Sequence, residues 1–163
     1  MNIEGFGLVD SDPADAPERY HHWIDAAEIQ PEFSTYADLH ALSMRIAKRN
    51  PHMNPIHAEF IASEWGAELE DGRVRLRADP LHKLPNPVLY RRAEAEACWR
   101  AITAEVLLVT GDESDLARHL GVDDKAHCPG DGSVSIEKAG HMLHFEAPAE
   151  LAAAIESFLR QHL

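Results

Sequence analysis

Two short stretches of the chain carry residues that could take part in acid–base catalysis. The first is the acidic sequence DESD at 112–115, which directly follows the apolar run AEVLLVTG. The second holds His141, which comes after the small residues AG and before a segment that Pro148 opens. A carboxylate bonded to one imidazole nitrogen fixes the ring tautomer and leaves the other nitrogen as a base. The two stretches therefore predict an acid–histidine pair, and they raise the question of which group the histidine deprotonates.

The elements around these stretches predict that the two meet. The run AEVLLVTG is typical of a strand buried on both faces, as in parallel sheets. The helix SDLARHLG, the strand GSVSIEKAG and the final helix APAELAAAIESFLRQHL follow it, an order that implies a right-handed crossover and parallel pairing. Reactive groups in such sheets lie past the carboxyl ends of strands that stand about 5 Å apart. We therefore expect the acidic loop and His141 to face each other.

The remainder of the chain has a different character. Residues 1–15 contain the strand end NIE, which breaks into a turn-rich loop at GFG. Residues 16–102 show mostly the apolar spacing of amphipathic helices, with one turn signal at Asp71-Gly72 and a short strand pattern in RVRLR. The sequence thus predicts a strand end and loop (1–15), a helical segment (16–102) and an α/β segment (103–163).

The composition excludes several classes of function. The chain has 163 residues, of which 45% are hydrophobic, and its 28 acidic and 15 basic residues give a net charge of −13. Such a surface repels nucleic acid and anionic lipid. There is no apolar run of membrane-spanning length, no signal-peptide pattern at the start, and no metal-ligand spacing among the two cysteines and 11 histidines. These features predict a cytoplasmic protein without a metal or other cofactor.

The sequences AEVLLVTGDESDL and KAGHMLHFEAPAELAAAIESFL together resemble the C-terminal end of an α/β-hydrolase. NIEGFGL resembles the end of that family's sixth strand, and the middle segment resembles the helical cap that many members insert after it. The resemblance implies an α/β fold with about three parallel strands, flanking helices and a mainly helical cap. It assigns His141 the role of general base and Asp115 the role of orienting acid, with Asp112 as the second candidate.

The nucleophile of these hydrolases lies in a Gly-x-Ser-x-Gly turn between a strand and a helix. None of the serines fits that pattern; they stand at positions 11, 34, 43, 63, 114, 133, 135 and 157. The nearest imitation is AHCPG around Cys128, but it precedes a strand instead of following one, and Pro129 disfavours the helix start that the turn needs. The sequence therefore predicts that the nucleophile is not on this chain.

Three interpretations fit a base without a nucleophile. The chain is the half of a split ester-type hydrolase whose complementary half-chain carries the serine, or an isolated truncated fragment, or a binding protein that kept this half of the fold. The unpaired edge of residues 1–5 predicts association, either with that half-chain or as a homodimer. A small-molecule substrate would contact the cap, where six aromatic residues are candidate wall residues: Trp23, Phe33, Tyr36, Phe60, Trp65 and Tyr90.

Overall fold

The computed structural model describes residues 1–5, 7–29, 31–116 and 132–162. The chain divides into two compact units, one made of Met1–Asp10 with Arg91–Leu163 and the other of Ser11–Tyr90. In chain order the described strands are β1 (Asn2–Ile3), β2 (Gly66–Glu68), β3 (Val74–Leu76), β4 (Leu107–Gly111) and β5 (Gly132–Ile136). The described helices are α1 (Ala16–Ile29), α2 (Leu39–Arg49), α3 (Pro55–Trp65), α4 (Arg92–Arg100), α5 (Leu143–Glu146) and α6 (Pro148–His162).

The first unit is built on a parallel sheet of three strands in the order β1-β4-β5. Asn2 is paired with Leu108 across the first strand pair, and Leu107 with Gly132 across the second. The central strand, β4, has neighbours on both sides, and its first three residues are almost fully buried. A β-branched and leucine-rich run suits this position because apolar side chains cover both faces of the strand. The predicted α/β fold and its three parallel strands are confirmed.

The core of the first unit lies between the sheet and the C-terminal helices. Val109 and Leu143 are fully buried, and Leu151 of α6 joins the same cluster. Ile155 and Phe158, further along α6, pack against it. Each such side chain stabilises the fold by roughly 1.5–3 kcal/mol when it leaves water. The core therefore fixes the segment 139–143, which carries His141, against the end of β4.

Gly111 ends β4 at a place where a side chain has no room. A Cβ atom there would lie within 3.0 Å of the backbone oxygens of both Ala139 and Gly140. The glycine allows the chain after β5 to cross directly over the end of β4. In this crossing, the Glu113 N–H donates to the Ala139 oxygen at 3.1 Å.

The second unit consists of α1–α3 and the antiparallel hairpin β2–β3. Asp38 caps α2 by accepting from the Ala41 N–H at 2.7 Å, and Asn54 caps α3, whose first residue is a proline. Leu42 of α2 and Ile61 of α3 are buried, since the two helices pack face to face. Short 3₁₀ helices at Pro13–Asp15 and Pro80–Lys83 complete this mainly helical unit.

The helical unit does not coincide with the predicted segment 16–102. Helix α4 belongs to the first unit, where the Arg92 N–H donates to the Asp10 carboxylate at 2.9 Å. Sequence periodicity alone places the start of this helix at Val88, but the Asn86 side chain accepts from the Val88 N–H and closes a turn there instead. Most of the predicted helix SDLARHLG lies outside the described residues. No helix in the described part of the chain is long and apolar enough to cross a membrane.

Candidate active site

Three strands place side chains at the same end of the sheet in the first unit. Because the sheet is parallel, the carboxyl ends of β1, β4 and β5 point the same way. Glu4 follows β1, the loop 112–115 follows β4, and His141 follows β5. The Glu4 N–H donates to the Val109 oxygen at 2.9 Å, so the pairing with β4 extends one residue beyond β1.

Glu4 occupies an unusual backbone conformation, with φ +52° in a residue that has a Cβ. Such a conformation costs about 1–3 kcal/mol and persists only where surrounding contacts enforce it. Here the Asn2 side chain spans the turn, since it accepts from the Gly5 N–H at 2.9 Å and donates to the Gly5 oxygen at 3.0 Å. This turn directs the Glu4 side chain into the protein, where only 1% of it is exposed.

The buried Glu4 carboxylate is held by two donors from the end of β4. Its Oε1 accepts from the Gly111 N–H at 2.6 Å, and its Oε2 accepts from the Ser114 hydroxyl at 2.6 Å. A buried carboxylate is costly unless such hydrogen bonds satisfy it, and bonds to a charged acceptor are the strong ones. Ser114 is itself buried, with 2% exposure, and its proton is directed to Glu4. Its hydroxyl therefore positions the carboxylate and is not available to attack a substrate.

His141 lies against the same carboxylate. Its Nδ1 is 3.2 Å from Oε2 of Glu4, while half of the histidine side chain remains exposed. When Nδ1 carries the proton, the ring donates to Glu4 and Nε2 keeps its lone pair. Nε2 has no hydrogen-bond partner among the described residues. This arrangement, a solvent-accessible imidazole fixed by a buried acid, is the one expected of a general base.

The sequence pattern indicated His141 but not the partner that the structure gives it. The carboxylate within hydrogen-bond reach of the ring belongs to Glu4, whereas Asp112 and Asp115 have exposed side chains. The orienting role of Asp115 stays a prediction. The signal for Glu4 was present in the sequence: an acid directly follows the short strand NI and precedes a glycine. The expected pair involved two strand ends, whereas the sheet brings three together.

His144 lies three residues beyond His141, on α5. Burial lowers the pKa of the His144 imidazole, and the nearby charge of His141 lowers it further, although Glu146 opposes both. Its ring lies against that of Phe145 with centroids 3.8 Å apart and the two planes tilted by 52°. Glu146 also accepts from the Gly140 N–H at 2.6 Å, which ties α5 to the turn before His141. His144 thus belongs to the short helix that Glu146 bonds to the turn before His141.

No thiol of the described residues hydrogen-bonds to Glu4, Ser114 or His141. Cys98 is an exposed free thiol on α4, and Cys128 lies outside the described residues. In the described ranges, no three His, Cys, Asp or Glu side chains are grouped so that they could hold a metal ion. The candidate site of the first unit is therefore the arrangement of Glu4, Ser114 and His141.

No protein-family model and no curated protein sequence gives a significant match to the chain. Solved structures do match it. The thioesterase domain from the curacin biosynthetic pathway matches 91% of the chain with a TM-score of 0.76 and 20% identity, over 54% of its own length. An α/β-hydrolase from Novosphingobium aromaticivorans matches 94% with a TM-score of 0.62 and 16% identity, over 55% of its own length. The chain has the fold of about half of an α/β-hydrolase.

A third α/β-hydrolase neighbour, an esterase from Mycobacterium tuberculosis, matches 94% of the chain with a TM-score of 0.64 and 18% identity, over 53% of its own length. The chain thus spans about half the length of these structures. The predicted resemblance to the C-terminal half of an α/β-hydrolase is confirmed at the level of fold. At these identities the likeness concerns the fold alone, and the chemistry has to be argued from the site.

Proposed function

We propose that the chain is the base-bearing half of an α/β-hydrolase that cleaves ester-type substrates. His141 takes the proton of a nucleophile that another chain supplies, and later returns it to the leaving group. The observation that supports this most is the contact between Nδ1 of His141 and the buried Glu4 carboxylate. A carboxylate in this place favours the productive tautomer and stabilises the imidazolium that forms during the reaction.

The proposal requires a second polypeptide because a base alone gives little catalysis. Covalent attack and stabilisation of the oxyanion account for most of the rate in acyl transfer. No serine, threonine or cysteine in the described residues hydrogen-bonds to His141. The partner that we propose is a complementary half-chain with the Gly-x-Ser-x-Gly turn and the oxyanion donors. Its substrate is a small molecule.

The edge of β1 is where such a half-chain would join the sheet. Among the described strands, β1 pairs only with β4, so its other edge lacks a strand neighbour. Apolar side chains on β1 and in the residues near it along the chain are exposed: Met1 is 60% exposed, Ile3 38%, Leu8 56% and Val9 59%. An open strand edge invites strand addition, and apolar side chains beside it favour association. A homodimer through the same edge is the alternative association that the experiment has to separate.

A reconstitution experiment tests the proposal. The chain is co-expressed with a half-chain that carries a Gly-x-Ser-x-Gly turn, and the complex is treated with a fluorophosphonate probe that labels activated serines. We expect the serine to be labelled with the wild-type chain, and the labelling rate to fall by about 10²–10⁴-fold with His141→Ala. Sedimentation of the chain alone and of the mixture distinguishes a heterodimer from a homodimer.

The same assay decides between the two candidate acids. Glu4→Gln keeps the shape of the side chain but removes its charge, and Asp115→Asn does the same at the other position. If Glu4 orients the base, Glu4→Gln lowers the labelling rate much more than Asp115→Asn does. The opposite order would return the orienting role to Asp115. A wild-type complex that forms but is labelled no faster than its His141→Ala counterpart would mean that this half serves binding and not catalysis.

A further inference from the structure

The helical unit Ser11–Tyr90 contains a groove with a charge opposite to that of the chain. The groove has a volume of about 260 Å³ and lies between α2, the segment 33–36, β3 and the 3₁₀ helix at Pro80–Lys83. Three of its lining residues are cationic and none is acidic. The chain as a whole carries 28 acidic and only 15 basic residues. We call this feature the cationic groove and define it by Arg45, Arg49 and Lys83 with Phe33, Tyr36 and Trp65.

The two arginines of the cationic groove lack the carboxylate partners that four other described arginines have. Within the described residues, no carboxylate lies within 4.0 Å of a charged nitrogen of Arg45 or Arg49. They stand four residues apart on α2, so their charges lie on neighbouring turns of one face and repel each other. By contrast, carboxylates pair with four arginines elsewhere in the described chain, at positions 73, 92, 100 and 160.

The third cation is fixed in place by its own contacts. Lys83 donates to the backbone oxygen of Glu32, and its Nζ lies 5.0 Å from the centre of the Phe33 ring. Both contacts hold the ammonium beside the groove without neutralising it, because a carbonyl and an aromatic face carry no net charge. An anionic group would therefore enter a groove whose lining carries three positive charges.

The aromatic side chains give the groove an apolar part. Phe33 and Tyr36 are half-buried, and Trp65 is 44% exposed at the end of α3. Aromatic faces of this kind stack on planar or acyl groups, while guanidinium groups bind phosphate and carboxylate oxygens in pairs. A volume of 260 Å³ lies just below the range of about 300–1,000 Å³ that is usual for small-molecule pockets, so the groove suits a small ligand.

We propose that the cationic groove binds a small organic anion, with a phosphate or carboxylate group on Arg45 and Arg49 and an aromatic or acyl body against Tyr36 and Trp65. This site is made of residues of the helical unit, and neither Glu4 nor His141 lines it. The proposal adds a ligand site to the protein and does not depend on the proposed hydrolase function.

Titration of the full chain, followed by ¹H–¹⁵N NMR, tests the site. Phenyl phosphate and benzoate serve as the two anionic probes, inorganic phosphate as an anion without an apolar body, and benzyl alcohol as a neutral analogue. We expect saturable shifts at α2 and at residues 33–36 with one or both aromatic anions, and binding at least about fivefold weaker with inorganic phosphate or benzyl alcohol. The stronger of phenyl phosphate and benzoate identifies the anionic group.

Matched variants on α2 distinguish binding in the cationic groove from a general electrostatic attraction of anions to the helix. Arg45→Gln and Arg49→Gln should each raise the Kd by about fivefold or more. Lys48→Gln removes the same charge from an exposed neighbour that does not line the groove, and should leave the Kd unchanged. Circular dichroism confirms that each variant is folded.

Three results would overturn the proposal: no saturable shifts with phenyl phosphate or benzoate up to about 10 mM, equal weakening by Lys48→Gln, or equal binding of benzyl alcohol. The His141→Ala variant should bind the probes as the wild type does. Failure of the hydrolase proposal would therefore leave this test untouched.

Discussion

The Glu4 carboxylate lies 3.2 Å from Nδ1 of His141, although 137 positions separate the two residues in the chain. Glu4 is buried and reaches the ring from the end of β1, while His141 is half-exposed and follows β5. The strand between them, β4, contributes the two donors that fix the carboxylate. The contact between Glu4 and His141 therefore depends on all three strands of the sheet. A substitution at the end of each strand can test the geometry of this contact.

The tautomer of His141 should depend on Glu4. At a pH where the ring is neutral, we expect the proton to reside on Nδ1, because there it donates to the buried carboxylate. Glu4→Ala removes that acceptor and should shift the population towards the Nε2–H form. The ¹⁵N chemical shifts of the imidazole measure the ratio. Glu105→Ala, which removes an exposed carboxylate of the same unit, is the control and should leave the ratio unchanged.

Ser114→Ala should destabilise the first unit. The variant loses a hydrogen bond to a buried carboxylate, which we expect to lower the free energy of unfolding by about 1–3 kcal/mol. Urea denaturation measures the change. Ser135→Ala, at an exposed position of β5, should stay within about 0.5 kcal/mol of the wild type. Equal effects of the two substitutions would show that the Ser114 hydroxyl does not hold Glu4.

Gly111→Ala should destabilise the first unit more than the addition of a single methyl group usually does. The added Cβ would lie within 3.0 Å of two backbone oxygens, at Ala139 and Gly140, so the turn before His141 has to move. We expect a loss of at least about 2 kcal/mol in the free energy of unfolding, together with a change in the His141 resonances.

Gly132→Ala is the matched control for that variant. An added Cβ at Gly132 would find its nearest atom at 3.5 Å, an ordinary contact distance. The control should therefore change the free energy of unfolding by less than about 1 kcal/mol. If Gly111→Ala is as well tolerated as this control, the close crossing of the chain over β4 is not as the structure describes it.

His144 should make stability depend on pH in a defined direction. In the unfolded chain its imidazole has the ordinary pKa of 6.5, and in the folded chain burial lowers that pKa. As the pH falls through 6.5, the unfolded state takes up a proton that the folded state does not, so the free energy of unfolding decreases. Above that range both states are neutral and the effect vanishes.

The variant His144→Gln should lose part of this decrease. Thermal melts between about pH 7.5 and 5.5, compared between the two proteins, give the difference in slope. A slope that is as steep without His144 as with it would assign the dependence to other groups.

The chain by itself should not hydrolyse activated esters through His141. An imidazole and its acid lack the covalent and oxyanion components that account for most of the rate. The isolated wild-type chain and the His141→Ala variant should therefore hydrolyse p-nitrophenyl acetate at the same rate. A large rate that depends on His141 would place the nucleophile on this chain and would direct attention to Cys128, which lies outside the described residues.

The sequence by itself determined the fold class and one half of the site. The run AEVLLVTG is apolar on both sides of an extended strand, so it predicts a central parallel strand that is buried on both faces. Strand β4 forms within this run. The small residues before His141 specified a turn after the next strand. These signals are local, because a few adjacent residues carry the information about burial and backbone shape.

Only the tertiary structure decided which carboxylate meets His141. The sequence offered the acids at 112–115, which follow the strand before the one that leads to His141. Distance along the chain, however, does not measure distance across the end of a sheet. The strand order β1-β4-β5 places Glu4, from the start of the chain, beside the loop after β4. A backbone with φ +52° then turns its side chain inward, and Gly111 and Ser114 hold it there. The partner of the histidine thus follows from strand pairing and burial, which depend on contacts between residues more than 100 positions apart.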